Sequence, residues 1–181
     1  MKKLNKKGFT LIELLAVIVI MGILMVVAIP AVTRTINNTR KDTYINTAKQ
    51  YVNQVKTLWA ADGLLCGTKN SSVTGEGTYY VLTDSSRDDL LEDGGKSPWK
   101  NETQGFVLIE RDANGKNTYS VYLVDEDGNV VEDSSTLDVT GKVAAFDSLI
   151  RTSVKVASKE VYNNFNKEGG IKPTGTPCSV Q

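Results

Sequence analysis

Residues 1–8, MKKLNKKG, and residues 9–32, FTLIELLAVIVIMGILMVVAIPAV, decide how the rest of this chain is read. Lys2, Lys3, Lys6 and Lys7 form a short basic leader that ends at Gly8. The 24 residues that follow are almost wholly apolar, with one acid, Glu13, five residues past the glycine. As a helix rising about 1.5 Å per residue, this run is roughly 36 Å long, enough to cross a bilayer core of about 30 Å. Basic residues before the run and none within it predict that the amino terminus stays on the cytoplasmic side.

Two ordinary explanations fall short. A secretory signal peptide has an apolar core of about 7–15 residues closed by a small-residue cleavage box, whereas this run is longer and no A-x-A box closes it. A plain membrane anchor fits the length but leaves Glu13 unexplained. An acid near the centre of the hydrocarbon costs roughly 2.5–3.5 kcal/mol and persists mainly where it has a partner. The segment resembles the class III leader and N-terminal helix of type IV pilins. The match rests on Gly8, Phe9, Thr10, Leu11, Ile12 and Glu13, then Gly22, then Ala28-Ile29-Pro30, in spacing as well as identity. It covers the first 30 residues or so and is silent about the rest.

The resemblance implies a prepilin. A membrane prepilin peptidase would cut between Gly8 and Phe9 and methylate the new amine of Phe9. An ATP-driven assembly platform in the cytoplasmic membrane would then extract the subunit from the membrane into a filament of pilin subunits. Within the family, Glu13 pairs with the amino terminus of a neighbouring subunit. Pro30 lacks an N–H, and Gly22 is a second weak point, so the helix between them is expected to be soft in a filament. The expected fold is α+β: a long helix packed on an antiparallel sheet. The expected organisation is a leader at 1–8, a long helix at 9–62 with its membrane or filament-core part at 9–32, and a globular head at 63–181. The subunit would begin in the cytoplasmic membrane and end at the cell surface.

Beyond Pro30 the helical period continues. Ile36, Tyr44, Ala48, Tyr51, Val55 and Leu58 recur mainly at three, four or a multiple, and Ile45, Val52 and Trp59 widen the face. Polar residues such as Lys49, Asn53 and Lys56 fill the other side, so this half is amphipathic. The step from membrane to aqueous packing is expected near Thr33. Asp62-Gly63 is expected to stop the helix near Ala61, with glycine just past the C-terminus. Tyr79–Leu82 reads as a short strand. Phe106–Glu110, Thr118–Val124 and Asn129–Glu132 read as an antiparallel meander, because Asn114-Gly115 and Asp127-Gly128 are strong hairpin turns. Tyr80–Leu82 is a candidate fourth strand. A helical turn at Asp88–Glu92, helix through Val143, Phe146, Leu149, Ile150 and Val154, helix again at Val161, Tyr162 and Phe165, and an irregular tail complete the reading.

The chain has 181 residues and a formal net charge of zero. Removing the four leader lysines takes 21 basic residues to 17 against 21 acidic, about −4 for the processed chain. No general polyanion-binding surface stands out, so nucleic acid is not indicated. Arg34, Arg40 and Lys41 read as a solvated helix face. With no histidine, Ser–His–Asp and Cys–His nucleophile systems and the common zinc patterns are excluded. Cys66 and Cys178 form no C-x-x-C pair, and two cysteines in an exported domain favour a disulfide. Bonding them would tie the tail back to the end of the helix.

Other motifs favour bland readings. Asp125, Asp127 and Asn129 alternate like the start of a calcium loop, but the glycine and the closing acid are misplaced, so a hairpin turn is expected; Asp112 and Asn114 read the same way. Gly115-Lys116 lacks the upstream glycine of a phosphate loop. Asp88, Asp89, Glu92 and Asp93 read as turn acids rather than a catalytic pair. N-x-S/T triplets at Asn37, Asn70 and Asn101 read as chance. Trp59 is expected in the core, and Trp99, after Ser97-Pro98, is the better surface candidate. No catalytic residue, cofactor or metal is expected. Two other functions share these features. A pseudopilin of a secretion or competence machine has the same N-terminus, and a single-pass anchored binding head would never polymerise.

Overall fold

The computed structural model describes residues 8–67, 76–84, 90–91, 95–132, 143–167 and 170–181. Of the expected turn at Asp88–Glu92, all but Leu90 and Leu91 lies outside them, and so do Asp93 and Asn70. The chain divides into two compact units, Met1–Thr39 and Arg40–Gln181. A single helix, α1 (Leu11–Ala60), contributes to both.

In the first unit the helix passes Gly22 and Pro30 without a break. Pro30 has no N–H to give the Val26 carbonyl. The hydroxyls beyond it bond to their own helix: Thr33 Oγ1 donates to Ile29 O at 2.9 Å, Thr35 Oγ1 to Ala31 O at 3.1 Å, and Thr39 Oγ1 to Thr35 O at 3.0 Å. Back-bonding of this kind satisfies a hydroxyl without a partner from outside the helix.

In the second unit the amphipathic face is buried as its period requires. Tyr44, Ile45, Ala48, Tyr51, Val52 and Val55 are all buried. Ile36, expected on this face, falls in the first unit and is 47% exposed. The helix end also differs in detail. Asp62, not Gly63, takes the left-handed conformation (φ 52°), and the Gly63 N–H donates to Leu58 O at 2.8 Å. Aspartate tolerates that conformation better than most residues. Gly63 answers to space instead, since a Cβ there would sit 3.2 Å from Leu58 Cδ2.

Among the described residues, eight strands form one sheet. They are β1 (Leu64–Cys66), β2 (Gly77–Asp84), β3 (Thr103–Arg111), β4 (Asn117–Asp125), β5 (Asn129–Val131), β6 (Ala144–Ala145), β7 (Val154–Val156) and β8 (Thr176–Val180). The order is β1-β8-β2-β3-β4-β5-β7, with β6 on β4, and every pair is antiparallel except β2 with β8. The expected meander is β3-β4-β5, and the candidate fourth strand lies in β2. Gly115 (φ 81°) and Gly128 (φ 80°) take the positive φ that the two turns demand.

Alternation along the strands sends side chains to two cores. Val107, Ile109, Val121 and Leu123 join the α1 face, while Phe106, Leu108, Tyr122 and Val124 pack on the other side with Val143 and Phe165. The rings of Phe106, Tyr122 and Phe165 stack at centroid distances of 5.7–6.3 Å. Phe165 follows the short helix α2 (Lys159–Asn163), capped by Ser158 Oγ accepting from Glu160 N.

Two expectations about the last third are corrected. The stretch from Val143 to Val154 is not a helix. It forms β6, short 3-10 turns at Phe146–Ser148 and Arg151–Ser153, and then β7. Its apolar residues serve different places: Val143 joins the second core, Ala144, Leu149 and Val154 the first, and Ile150 is 59% exposed. Nor is the tail irregular. Its end is β8, between β1 and β2, with Cys178 opposite Cys66. The two cysteines are joined in a disulfide.

Surface contacts refine the picture. Arg151 donates from Nε and Nη2 to the two oxygens of Asp42, at 2.7 and 2.5 Å, and this guanidinium holds the Asp42 carboxyl below its usual range. Lys41 Nζ donates to Val154 O at 3.3 Å, so one residue of the basic cluster fastens the β7 segment to α1. Trp99 is corrected as well, for it is half-buried, with its ring edge-on to Tyr44 at 5.9 Å. Trp59 packs on the core beside Tyr79, at 5.3 Å between centroids.

Candidate processing and assembly segment

Gly8, Phe9 and Thr10 precede α1 and are exposed. A Cβ on Gly8 would meet nothing within 4 Å, so the fold itself does not require glycine there. The bond between Gly8 and Phe9 lies outside the helix, and the reason is local. Thr10 O accepts from Leu14 N at 3.2 Å, which makes Thr10 the N-cap residue. Thr10 Oγ1 accepts from Glu13 N at 3.3 Å. In return, Glu13 Oε2 accepts from Thr10 N at 2.8 Å and from Thr10 Oγ1 at 2.7 Å. This reciprocal pair is a capping box. It starts the helix at Leu11 and leaves the preceding peptide bond outside it.

Glu13 therefore has a second property besides its charge: within its own chain the carboxylate is already hydrogen-bonded twice. The T-x-x-E pattern at Thr10–Glu13 is the sequence signal for this cap, and a reading of Glu13 as a lone acid misses it. The carboxylate also stands at the helix N-terminus, where the macrodipole favours negative charge.

Beyond the cap, the apolar residues of the first unit are exposed all round. Phe9 is 86% exposed, Leu11 81% and Val27 73%. α1 is long and apolar enough to cross a membrane, and its apolar stretch is not buried against the chain. An apolar surface of this size calls for lipid or for other protein around it. Gly22 sits in open space on this surface, so packing within the chain gives no reason for a glycine there.

The other sequence candidates resolve into structure. Asp125 is fully buried and accepts from Asp127 N, Asn129 N and Asn129 Nδ2 at 2.8–3.1 Å, which is the work of a turn. Asp112 Oδ1 likewise accepts from Asn114 N and Lys116 N. Asp127 bonds Asn101 Nδ2 at 2.6 Å and Lys159 Nζ at 2.7 Å, and these two partners, the lysine foremost, hold its carboxyl below the usual range. Among the described residues, no three His, Cys, Asp or Glu side chains gather as a metal site would need.

Residues 3–29 match the family model of the prokaryotic N-terminal methylation motif, the class III leader of type IV prepilins. No curated protein and no solved structure matched the chain. The match supports a type IV pilin-like or pseudopilin precursor, and the leader with its apolar helix fits a membrane-anchored form. It points to a structural protein rather than an enzyme, and it implies processing by prepilin peptidase and assembly with other pilins.

Proposed function

We propose that this chain is a structural subunit of a type IV pilus, cut between Gly8 and Phe9, N-methylated at Phe9, and polymerised through the helix that begins at Leu11. The observation that carries this reading is an exposed helix, apolar on every face from Leu14 to Val32, with one acid in its first turn. Such a helix can leave lipid only for another apolar setting, and a bundle of like helices provides one. Head-to-tail contacts that do not close give a filament rather than a ring. Gly22, free of neighbours in its own chain, would let a second helix approach closely. Glu13 would pair with the new amine of an adjacent subunit, so that its charge is partnered when water is gone.

The test uses strains whose only copy of the gene carries a change at Glu13. Glu13→Val removes both the charge and the capping box. Glu13→Gln keeps a side chain able to cap but not the charge. Both subunits are expected in the membrane with a folded head and absent from sheared surface material. Normal filaments from Glu13→Gln would refute charge pairing and leave the cap as the role of Glu13. Normal filaments from both would remove Glu13 from assembly altogether. Electron microscopy of intact wild-type cells separates long surface pili from the short filaments of a pseudopilin.

A further inference from the structure

We infer that Asn114 is a site of spontaneous covalent modification, converting from an amide to a carboxylate through a cyclic imide with Gly115. Three features of the β3–β4 turn carry this. Asn114 is exposed, and its side-chain amide makes no hydrogen bond among the described residues. Gly115 has no side chain to shield its nitrogen, and the space at its Cβ position is open apart from Arg111. The guanidinium of Arg111 supplies the third feature: its Nη2 lies 3.1 Å from that position, and Asn117 Oδ1 holds its Nη1 at 3.0 Å. A cation there favours the deprotonated, attacking form of the Gly115 nitrogen.

The chemistry balances with water alone. The Gly115 nitrogen gives up its proton and attacks Asn114 Cγ. The N–Cγ bond forms, the Cγ–Nδ2 bond breaks, and the proton leaves with the amide nitrogen as ammonia. Water then opens the five-membered imide. Attack at Cγ gives aspartate at position 114. Attack at the main-chain carbonyl gives isoaspartate, with the chain now running through Cβ. One hydrogen bond resists the first step, Gly115 N–H to Asp112 O at 2.9 Å. It closes an exposed turn, where local opening is least costly. The product adds a second carboxylate beside Asp112, near Arg111 and Lys116.

Two other asparagines differ in both neighbour and setting, for Asn101 precedes Glu102 and Asn129 precedes Val130. Asn101 is tied to Asp127, and Asn129 is buried with its amide on both oxygens of Asp125. Gly128, which follows Asp127, is hemmed in, for a Cβ there would lie 2.6 Å from Ala157 O.

The experiment incubates the purified full chain in detergent in mildly acidic and mildly alkaline buffer, beside the same chain in denaturant. Trypsin then releases 112–116, which is followed by mass and by a separation that resolves aspartate from isoaspartate. The folded chain is expected to convert at 112–116, faster at the higher pH, while the peptides holding Asn101 and Asn129 keep their amides. Asn114→Gln is expected to stop the conversion without changing the fold. Intact Asn114 in the folded chain, at a time when the denatured chain has converted, would overturn the proposal. Equal conversion at Asn101 and Asn129 would overturn it too, because unfolding rather than this turn would then be the cause.

Discussion

Replacing Cys178 with serine is expected to lower the stability of the unit from Arg40 to Gln181 by about 2–5 kcal/mol. The bond it removes joins residues 112 apart in sequence, a closure whose chain-entropy value reaches about 4–5 kcal/mol before native strain is subtracted. The structural consequence exceeds a lost cross-link. β8 lies between β1 and β2, so releasing it opens the sheet on both of its sides. Gly67 N–H, which donates to Pro177 O at 3.0 Å, would lose its acceptor, and so would Gln181 N–H, which donates to Gly63 O. Denaturant unfolding of the purified chain, with and without reductant, checks this. Wild-type protein should fall to the midpoint of Cys178→Ser on reduction. An unchanged midpoint in reductant would show that β8 holds its place without the disulfide.

A comparable effect is expected from a smaller change, Gly105→Ala. Gly105 lies on β3 opposite Leu123 of β4. A Cβ there would sit 2.0 Å from Tyr122 O and 2.8 Å from Leu123 Cδ2. The first obstacle is a main-chain carbonyl inside the sheet, not the end of a flexible side chain, so relief means shifting β3 against β4. Forced overpacking typically costs about 1–3 kcal/mol, and a clash with main chain belongs at or above the top of that range. The readouts are yield of folded protein and the denaturant midpoint. Gly22→Ala is the control. It meets nothing in its own chain and should leave the midpoint where it is. A Gly105→Ala protein as stable as wild type would mean that the two strands are not packed this closely.

Legibility in the sequence follows how local each determinant is. The buried face of α1 is readable from Tyr44 to Val55 because a single period runs through it. The β3-β4-β5 meander is readable because Asn114-Gly115 and Asp127-Gly128 each place a glycine where the turn needs positive φ. The end of the chain is not readable as strand. Pro173, Gly175 and Pro177 give it the composition of a loop, and its partners lie far away, at Leu64–Cys66 and Tyr79–Val81. The stretch from Val143 to Val154 misleads for another reason. Its spacing suits one helix face, yet the residues serve two cores and two short strands. Gly105 carries no signal at all, since only the approach of Tyr122 O gives it meaning.

At the candidate site, Gly8, Phe9 and Glu13 stand out by pattern, and the motif match covers all three. Cys66 and Cys178 are paired by the expectation of an oxidising location, and the disulfide is present. The cap formed by Thr10 is visible as T-x-x-E but easily missed, because the same acid has a more conspicuous reading. The consequence is mechanistic. The residue proposed to meet a neighbouring subunit also fixes where the helix begins, so charge and cap must be separated by experiment.

The most direct test of the account is the mass of the N-terminal peptide from subunits sheared off the cell surface. The expected chain starts at Phe9 with a methylated amine. Surface filaments built from chains that still contain Met1 and the lysine leader would contradict it.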